Sequence, residues 1–296
     1  MGYRSVYADD DRETWHSTAV VRTSLRTQIG ELYDAGSSHL LSSLATEFAD
    51  HAYISALEPV AIARIRWGRL TDYLFRTERV EIEIVNRALT HLLTQEDLPQ
   101  PLRTDLLKIY TDEAYHVLVM AEFGLKISNL TGFEMLRRDF AGLNRITQEI
   151  NSATSGEESL ACLTAAIVTE TLISGTLRRA NDDSVYAPVR AVLSDHARDE
   201  SYHHAAFSRL GKSLLPRLTA TQREIVEYIV PIAIREFLTP DVNNVIEDLS
   251  ALGLSNSQIE EIIVPLIDER SLQESLRSAS VATRRLFEGV GITSVI

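Results

Sequence analysis

Asp112-Glu113-Ala114-Tyr115-His116 and Asp199-Glu200-Ser201-Tyr202-His203 repeat one pattern, Asp-Glu-x-x-His, at two distant points of a 296-residue chain. Both lie where apolar residues recur at three- and four-residue steps, so both are predicted to be helical. A Glu and a His three residues apart share one helix face. Two such pairs on facing helices, with one further Glu from each of two other helices, build a carboxylate-bridged pair of metal ions in a four-helix bundle. The solitary acids are present, Glu81 in Glu81-Ile82-Glu83-Ile84-Val85-Asn86 and Glu170 in Ile167-Val168-Thr169-Glu170-Thr171-Leu172. The order Glu, Glu-x-x-His, Glu, Glu-x-x-His is that of a duplicated helix pair.

The polar residues fall inside apolar stripes. On one helix face run Val189, Leu193, His196, Glu200, His203 and Phe207, and on a second Ile109, Glu113, His116 and Met120. A third carries Leu163, Ala166, Glu170, Ile173 and Leu177, and a fourth Leu74, Glu78, Glu81, Val85 and Ala88. The apolar ends mark buried faces. A lone carboxylate on such a face costs several kcal/mol unless it is paired or ligates a metal. One interruption is explained by a shifted register and a solvated face. Four together point to a shared cation site. Carboxylates with His and no Cys suit iron or manganese better than zinc. Asp112 and Asp199 each stand four residues before a motif His, where they either hold the ring through its second nitrogen or face solvent as ordinary acids. His196 shares the face of Glu200 and His203, as an additional ligand or as a core His bonded to a carbonyl.

The predicted elements are helical throughout. A polar tail covers residues 1–14, and residues 15–296 form a single helical domain. Helical patterns run from Trp15 to about Ala49 with a break at Gly36-Ser37-Ser38, from Pro59 to about Leu93, and from Leu102 to about Ile127. An amphipathic segment opens at Thr131-Gly132 and continues to Ile150. Ser155-Gly156-Glu157-Glu158 starts a helix reaching about Ala180, and the next reaches about Arg209. Shorter helices fall near 218–238, 242–252, 256–275 and 277–289. With 13 Gly and 8 Pro the chain has little turn material, which favours long elements. The expected fold is all-α, a ferritin-like four-helix bundle core with additional helices.

The net charge of -13 disfavours nucleic acid and anionic membranes as partners. Cys162 is the sole cysteine, so no internal disulfide forms, and it reads as a small core residue. No apolar h-region follows Met1-Gly2-Tyr3-Arg4-Ser5, and no run of eighteen apolar residues occurs, so a cytoplasmic protein is expected.

His196-Ala197-Arg198-Asp199-Glu200-Ser201-Tyr202-His203 resembles the His-x-x-x-Glu-x-x-His run of the non-haem di-iron N-oxygenases typified by p-aminobenzoate N-oxygenase. Asp112–His116 and Thr169-Glu170-Thr171 are similar to that family's other ligand segments. Asn86-Arg87-Ala88-Leu89 aligns Glu81 as first ligand, with Glu78 and Glu83 as fallbacks. Pro231–Phe237 and Thr283-Arg284-Arg285-Leu286 resemble later parts of the family. The resemblance covers roughly residues 60–290, and the loop between the first two ligand helices is shorter here. It implies two iron ions held by Glu81, Glu113, His116, Glu170, His196, Glu200 and His203, with O2 as co-substrate and an external electron donor. It implies oxidation of a small amine, expected to be aromatic, to a hydroxylamine, nitroso or nitro product. Arg284 is the candidate to position a substrate anion, against the reading of an exposed helix Arg. A homodimer and a redox partner are expected. Competing classes are a di-iron C–H hydroxylase or desaturase on the same bundle, and a ferroxidase or storage-like bundle.

Overall fold

The computed structural model describes residues 9–22, 39–41, 48–154, 156–180 and 183–292. The break at Gly36–Ser38 and the helix start at Ser155 lie outside these residues. Everything regular in the described residues is helical apart from one parallel bridge between His39 and Val185.

Four long helical runs form the bundle. The first is α3 (Pro59–Val80), continued without a break through a π-helical turn (Glu81–Val85) into α4 (Asn86–Leu93). The others are α5 (Gln100–Thr131), α7 (Glu158–Ala180) and α8 (Ala187–Leu214). Pro59, Pro101 and Pro188 sit in the first turns of α3, α5 and α8, where the missing N–H costs no hydrogen bond. Ala141–Ser152 (α6) and Ala220–Leu238 (α9) pack against α7 from outside. Thr219 and Gln222 close a reciprocal capping box at the start of α9.

Val242–Ala251 (α10) and Asn256–Ile267 (α11) enclose a smaller core with α3, built on Ile65, Val245, Leu249, Ile259 and Ile262. Asp248 of α10 accepts from Arg69 of α3 at 2.7 Å and from Arg138, which fixes this satellite to the bundle. Glu269–Ala279 (α12) and Val281–Glu288 (α13) close the described chain. Among the described residues no helix is long and apolar enough to cross a membrane.

Several boundaries depart from the sequence expectation. A helix, α1 (Asp9–Thr18), occupies part of the expected polar tail. The helix expected from Trp15 to about Ala49 gives way after Thr18 to a 3-10 turn, Val20–Arg22, and residues 23–38 and 42–47 of that stretch lie outside the described residues. A further short helix, α2, covers Ala52–Ser55. In the segment expected to be helical from Thr131, residues 132–140 are non-helical and the next helix starts at Ala141. Gly132, with φ 71°, ends α5 in the left-handed region, and Trp67 Nε1 donates to the Glu134 carbonyl to hold the connecting stretch. The expected 256–275 helix divides at Asp268, whose carboxylate accepts from Ser271 N at 2.9 Å and so starts α12.

Cys162 is fully buried, as expected of a core residue, and burial pushes its thiol up to about 12. Its Sγ donates to the Ile84 carbonyl at 3.4 Å, inside the π-helical turn.

Candidate metal centre

The stripes of α5, α7 and α8 turn inward together. Glu113, Glu170, Glu200 and His203 have no measurable exposure, and His116 and His196 have 2% each. Ile109, Met120, Ala166, Ile173, Val189, Leu193 and Phe207, the apolar members of those stripes, are buried around them. Leu177 lies among side chains outside the described set.

On the first run the geometry differs from an ideal helix. The π-helical turn Glu81–Val85 inserts one extra residue, which rotates the helix beyond it by roughly 100°. Glu81, the first residue of this turn, is fully buried, and so are Ile84 and Val85 within it. Glu78 is half-buried off the face, and Glu83 pairs with Arg79 at 2.8 Å. Of the three acids weighed for this position, only Glu81 lies in the cluster. Thr77 is buried where the stripe has Glu78.

All seven expected residues converge. Potential ligand atoms lie within 4.8 Å of one another in three groups: Glu81, His116, His196 and Glu200; Glu113, His116, Glu200 and His203; Glu81, Glu113 and Glu170. Glu200 Oε1 is the hub, 3.0 Å from His196 Nε2, 3.5 Å from His116 Nδ1 and 3.6 Å from His203 Nδ1.

These atoms fit a cation better than they fit one another. Both carboxylate oxygens of Glu81 and of Glu170 are buried without a hydrogen-bond partner, as are Glu113 Oε1 and Glu200 Oε2. His203 Nδ1 lies 2.7 Å from Glu113 Oε1, yet neither atom makes a hydrogen bond there. Native interiors leave few polar atoms in this state. So many lone pairs around one point, in a buried four-helix core, make a cradle for positive charge. Oxygen and imidazole donors without sulfur suit redox-active first-row ions.

Electrostatics agree. Burial, reinforced by the neighbouring Glu113 and Glu200 carboxylates, raises Glu81 and Glu170 well above the usual carboxylate range. Burial would lower His116, but hydrogen bonds to Asp199 and Glu113 outweigh it and raise the ring to about 10. Burial likewise opposes charge on His203, and Glu113 and Asp112 overcome it. On Glu200 the same burial is outweighed by His196 and His203, which hold its carboxyl well below the usual range. In this protonation pattern protons do what bound cations would do, so metal entry must release protons.

Asp112 and Asp199 are both buried and both reach an imidazole, although not on their own helix. Asp112 Oδ2 lies 3.3 Å from His203 Nε2, and Asp199 Oδ2 lies 3.2 Å from His116 Nε2. With Nε2–H given to the carboxylate, Nδ1 is the nitrogen that faces the cluster, and its lone pair would be free for a cation once the ring gives up its second proton. His196 is turned the other way, Nε2 inward and Nδ1 hydrogen bonded to the Tyr73 hydroxyl. The sequence expectation does not include Tyr73. Its eight-residue step to Glu81, two turns along the same face, is the signal that could have found it.

Arg284 sits half-buried on α13, outside the cluster. Its Nη2 donates to the Arg277 carbonyl at 3.2 Å and its Nε is buried without a partner. The preceding Thr283 is hydrogen bonded to Thr171, the neighbour of Glu170, at 2.8 Å. A cavity of about 350 Å³ opens between α4, α5, α7 and α8, walled by Leu92, Leu102, Leu106, Leu163, Ile167 and Leu210. Ile167 stands one helical turn from Glu170, so apolar walls lead from the surface to the edge of the cluster.

Comparison with known proteins gives two matches. The family model described as P-aminobenzoate N-oxygenase AurF matches residues 33–291. A 4-aminobenzoate N-oxygenase from Streptomyces thioluteus is 23% identical over 265 residues, 84% of this chain and 75% of that protein.

Proposed function

The chain belongs to the p-aminobenzoate N-oxygenase family and is an amine N-oxygenase, and we propose that it oxidises a small aromatic amine of the aminobenzoate class at nitrogen, using two iron ions. The relative's substrate, 4-aminobenzoate, motivates the class. The observation that carries the metal reading is the set of orphaned carboxylate oxygens on Glu81, Glu113, Glu170 and Glu200 around three inward imidazole nitrogens.

In this reading Glu81, Glu113, His116, Glu170, His196, Glu200 and His203 hold the two ions. When bound, the ions supply the redox chemistry that activates O2 for oxygen transfer to nitrogen. The chain's own residues do the remaining work. Asp112 and Asp199 keep a proton on the outer nitrogens of His203 and His116, and Tyr73 orients His196. The leucine-rich walls of the 350 Å³ cavity exclude water and admit small apolar molecules toward Glu170. An external electron donor, a cytoplasmic location and a homodimer complete the proposal.

Turnover with labelled O2 tests the reaction. Label on the nitrogen of an aminobenzoate is the expected outcome. Label on carbon, or an unlabelled desaturated product, assigns the protein to C–H chemistry.

Arg284 is proposed to receive the substrate's carboxylate. Its Nε lacks a partner, and a guanidinium binds a carboxylate through two parallel hydrogen bonds. Arg284→Ala is expected to raise KM for an aminobenzoate about tenfold, the order of one lost charge-assisted hydrogen bond. For a neutral aniline KM should stay the same. An equal rise for both substrates removes Arg284 from the anion site.

A further inference from the structure

Each of the two aspartates behind the imidazoles is itself held by a donor from outside the bundle. Trp15 Nε1 donates to Asp112 Oδ2 at 2.7 Å, the same oxygen that faces His203. The Val20 amide donates to Asp199 Oδ2 at 3.1 Å, the same oxygen that faces His116. Both donors come from α1 and the 3-10 turn after it. This segment precedes the part of the chain that the family model matches.

The seat is closely packed. Val20 is buried and Trp15 half-buried. Lys108 Nζ and the Arg22 guanidinium lie 5.5 and 6.0 Å from the Trp15 ring centre. The space between Trp15, Asp112, Asp199 and His203 is about 10 Å³, at the lower limit for a single water. Water therefore has little room to replace the indole N–H. Asp112 Oδ1 has no partner, so the orientation of this carboxylate depends on Oδ2 alone.

We propose that Trp15 is a positioning residue for His203: through Asp112 it fixes the ring so that Nδ1 points into the cluster, and the Val20 amide does the same for His116 through Asp199. This rests on the metal-centre reading above. The two supports are separate, so their losses are separable. His203 belongs to one of the two His-containing ligand groups, that with Glu113, and is absent from the group with Glu81 and His196. Removing the indole donor should loosen the ion nearer His203 and leave the ion nearer His196 in place. A residue that merely packed the N-terminal segment would show no such preference between ions.

The experiment compares iron-loaded wild type, Asp112→Asn and Trp15→Phe, following the release of each ion to a chelator beside thermal unfolding. Wild type should release both ions slowly. Asp112→Asn should release one ion about 10- to 100-fold faster, the usual effect of losing a His-supporting carboxylate. Trp15→Phe should accelerate that same ion by a smaller factor, about three- to tenfold, with the second ion unchanged. Wild-type release from both sites in Trp15→Phe, or equal acceleration of both, overturns the proposal. If Trp15→Phe lowers the unfolding temperature, ion selectivity still decides between positioning and packing. A wild type that holds no pair of ions overturns the metal reading and this proposal with it; two ions in wild type with a selective effect in Asp112→Asn alone overturn only the role of Trp15.

Discussion

Glu200→Ala is expected to reduce the metal content from two ions per chain to at most one, and to lower N-oxygenation on the order of a thousandfold or more, the scale on which removing one member of an interdependent set acts. Glu200 Oε1 faces all three imidazoles and takes part in both His-containing groups. None of the other three cluster carboxylates belongs to both of those groups. Metal analysis and a turnover assay on the same preparation check the result. Glu78→Ala is the control, since Glu78 stands half-buried outside the groups. A Glu200→Ala protein that retains both ions would show that Glu200 is not needed to hold them.

The second large effect runs in opposite directions for stability and function. Glu170 is fully buried, with neither carboxylate oxygen hydrogen bonded, and burial holds its pKa well above the usual range. In the metal-free protein it contributes only cost. Glu170→Leu is close in volume and puts an apolar side chain among Ala166, Ile167 and Ile173. A buried polar group left without a partner costs about 1–3 kcal/mol, which this substitution removes. Denaturant unfolding in chelator should therefore show a more stable variant. With iron present the order should reverse, because ligand binding stabilises only the wild type by mass action. Turnover should be lost. A metal-free Glu170→Leu protein less stable than metal-free wild type would contradict the burial cost on which the argument depends.

Most of the cluster is legible in the sequence because it follows helix periodicity. Glu113, His116, Glu170, His196, Glu200 and His203 each interrupt an apolar stripe at a step of three or four, and each is buried where that step puts it. Glu81 is harder. The π-helical turn changes the register at the very residue in question, and no periodic template contains an inserted residue. The family resemblance, and not the stripe, singles out Glu81 over Glu78.

Long-range pairings escape for a different reason. Spacing along one helix suggests that Asp112 serves His116, yet Asp112 faces His203 across the bundle. Trp15 lies 97 residues from its carboxylate partner. Such contacts are set by how helices pack side by side, which a one-dimensional pattern does not encode. The missed helix boundaries are local: Gly132 and Asp268 end or begin helices by backbone conformation and capping, which override the apolar step.

The crossed aspartate–imidazole pairs amount to a pseudo-twofold axis within one chain. Asp112 reaches His203 while Asp199 reaches His116, the reciprocal exchange that relates two copies of one surface in a symmetric dimer. Were the symmetry complete, the two ions would be chemically equivalent. It fails among the imidazoles. Four residues before Glu200 stands His196, while four before Glu113 stands Ile109. In the proposed centre this difference would give one ion an extra nitrogen, on an imidazole held by Tyr73, and leave the other with a poorer ligand field. The two metals of this centre would then differ in reduction potential and in readiness to accept a new ligand, a division of labour that an equivalent pair could not have.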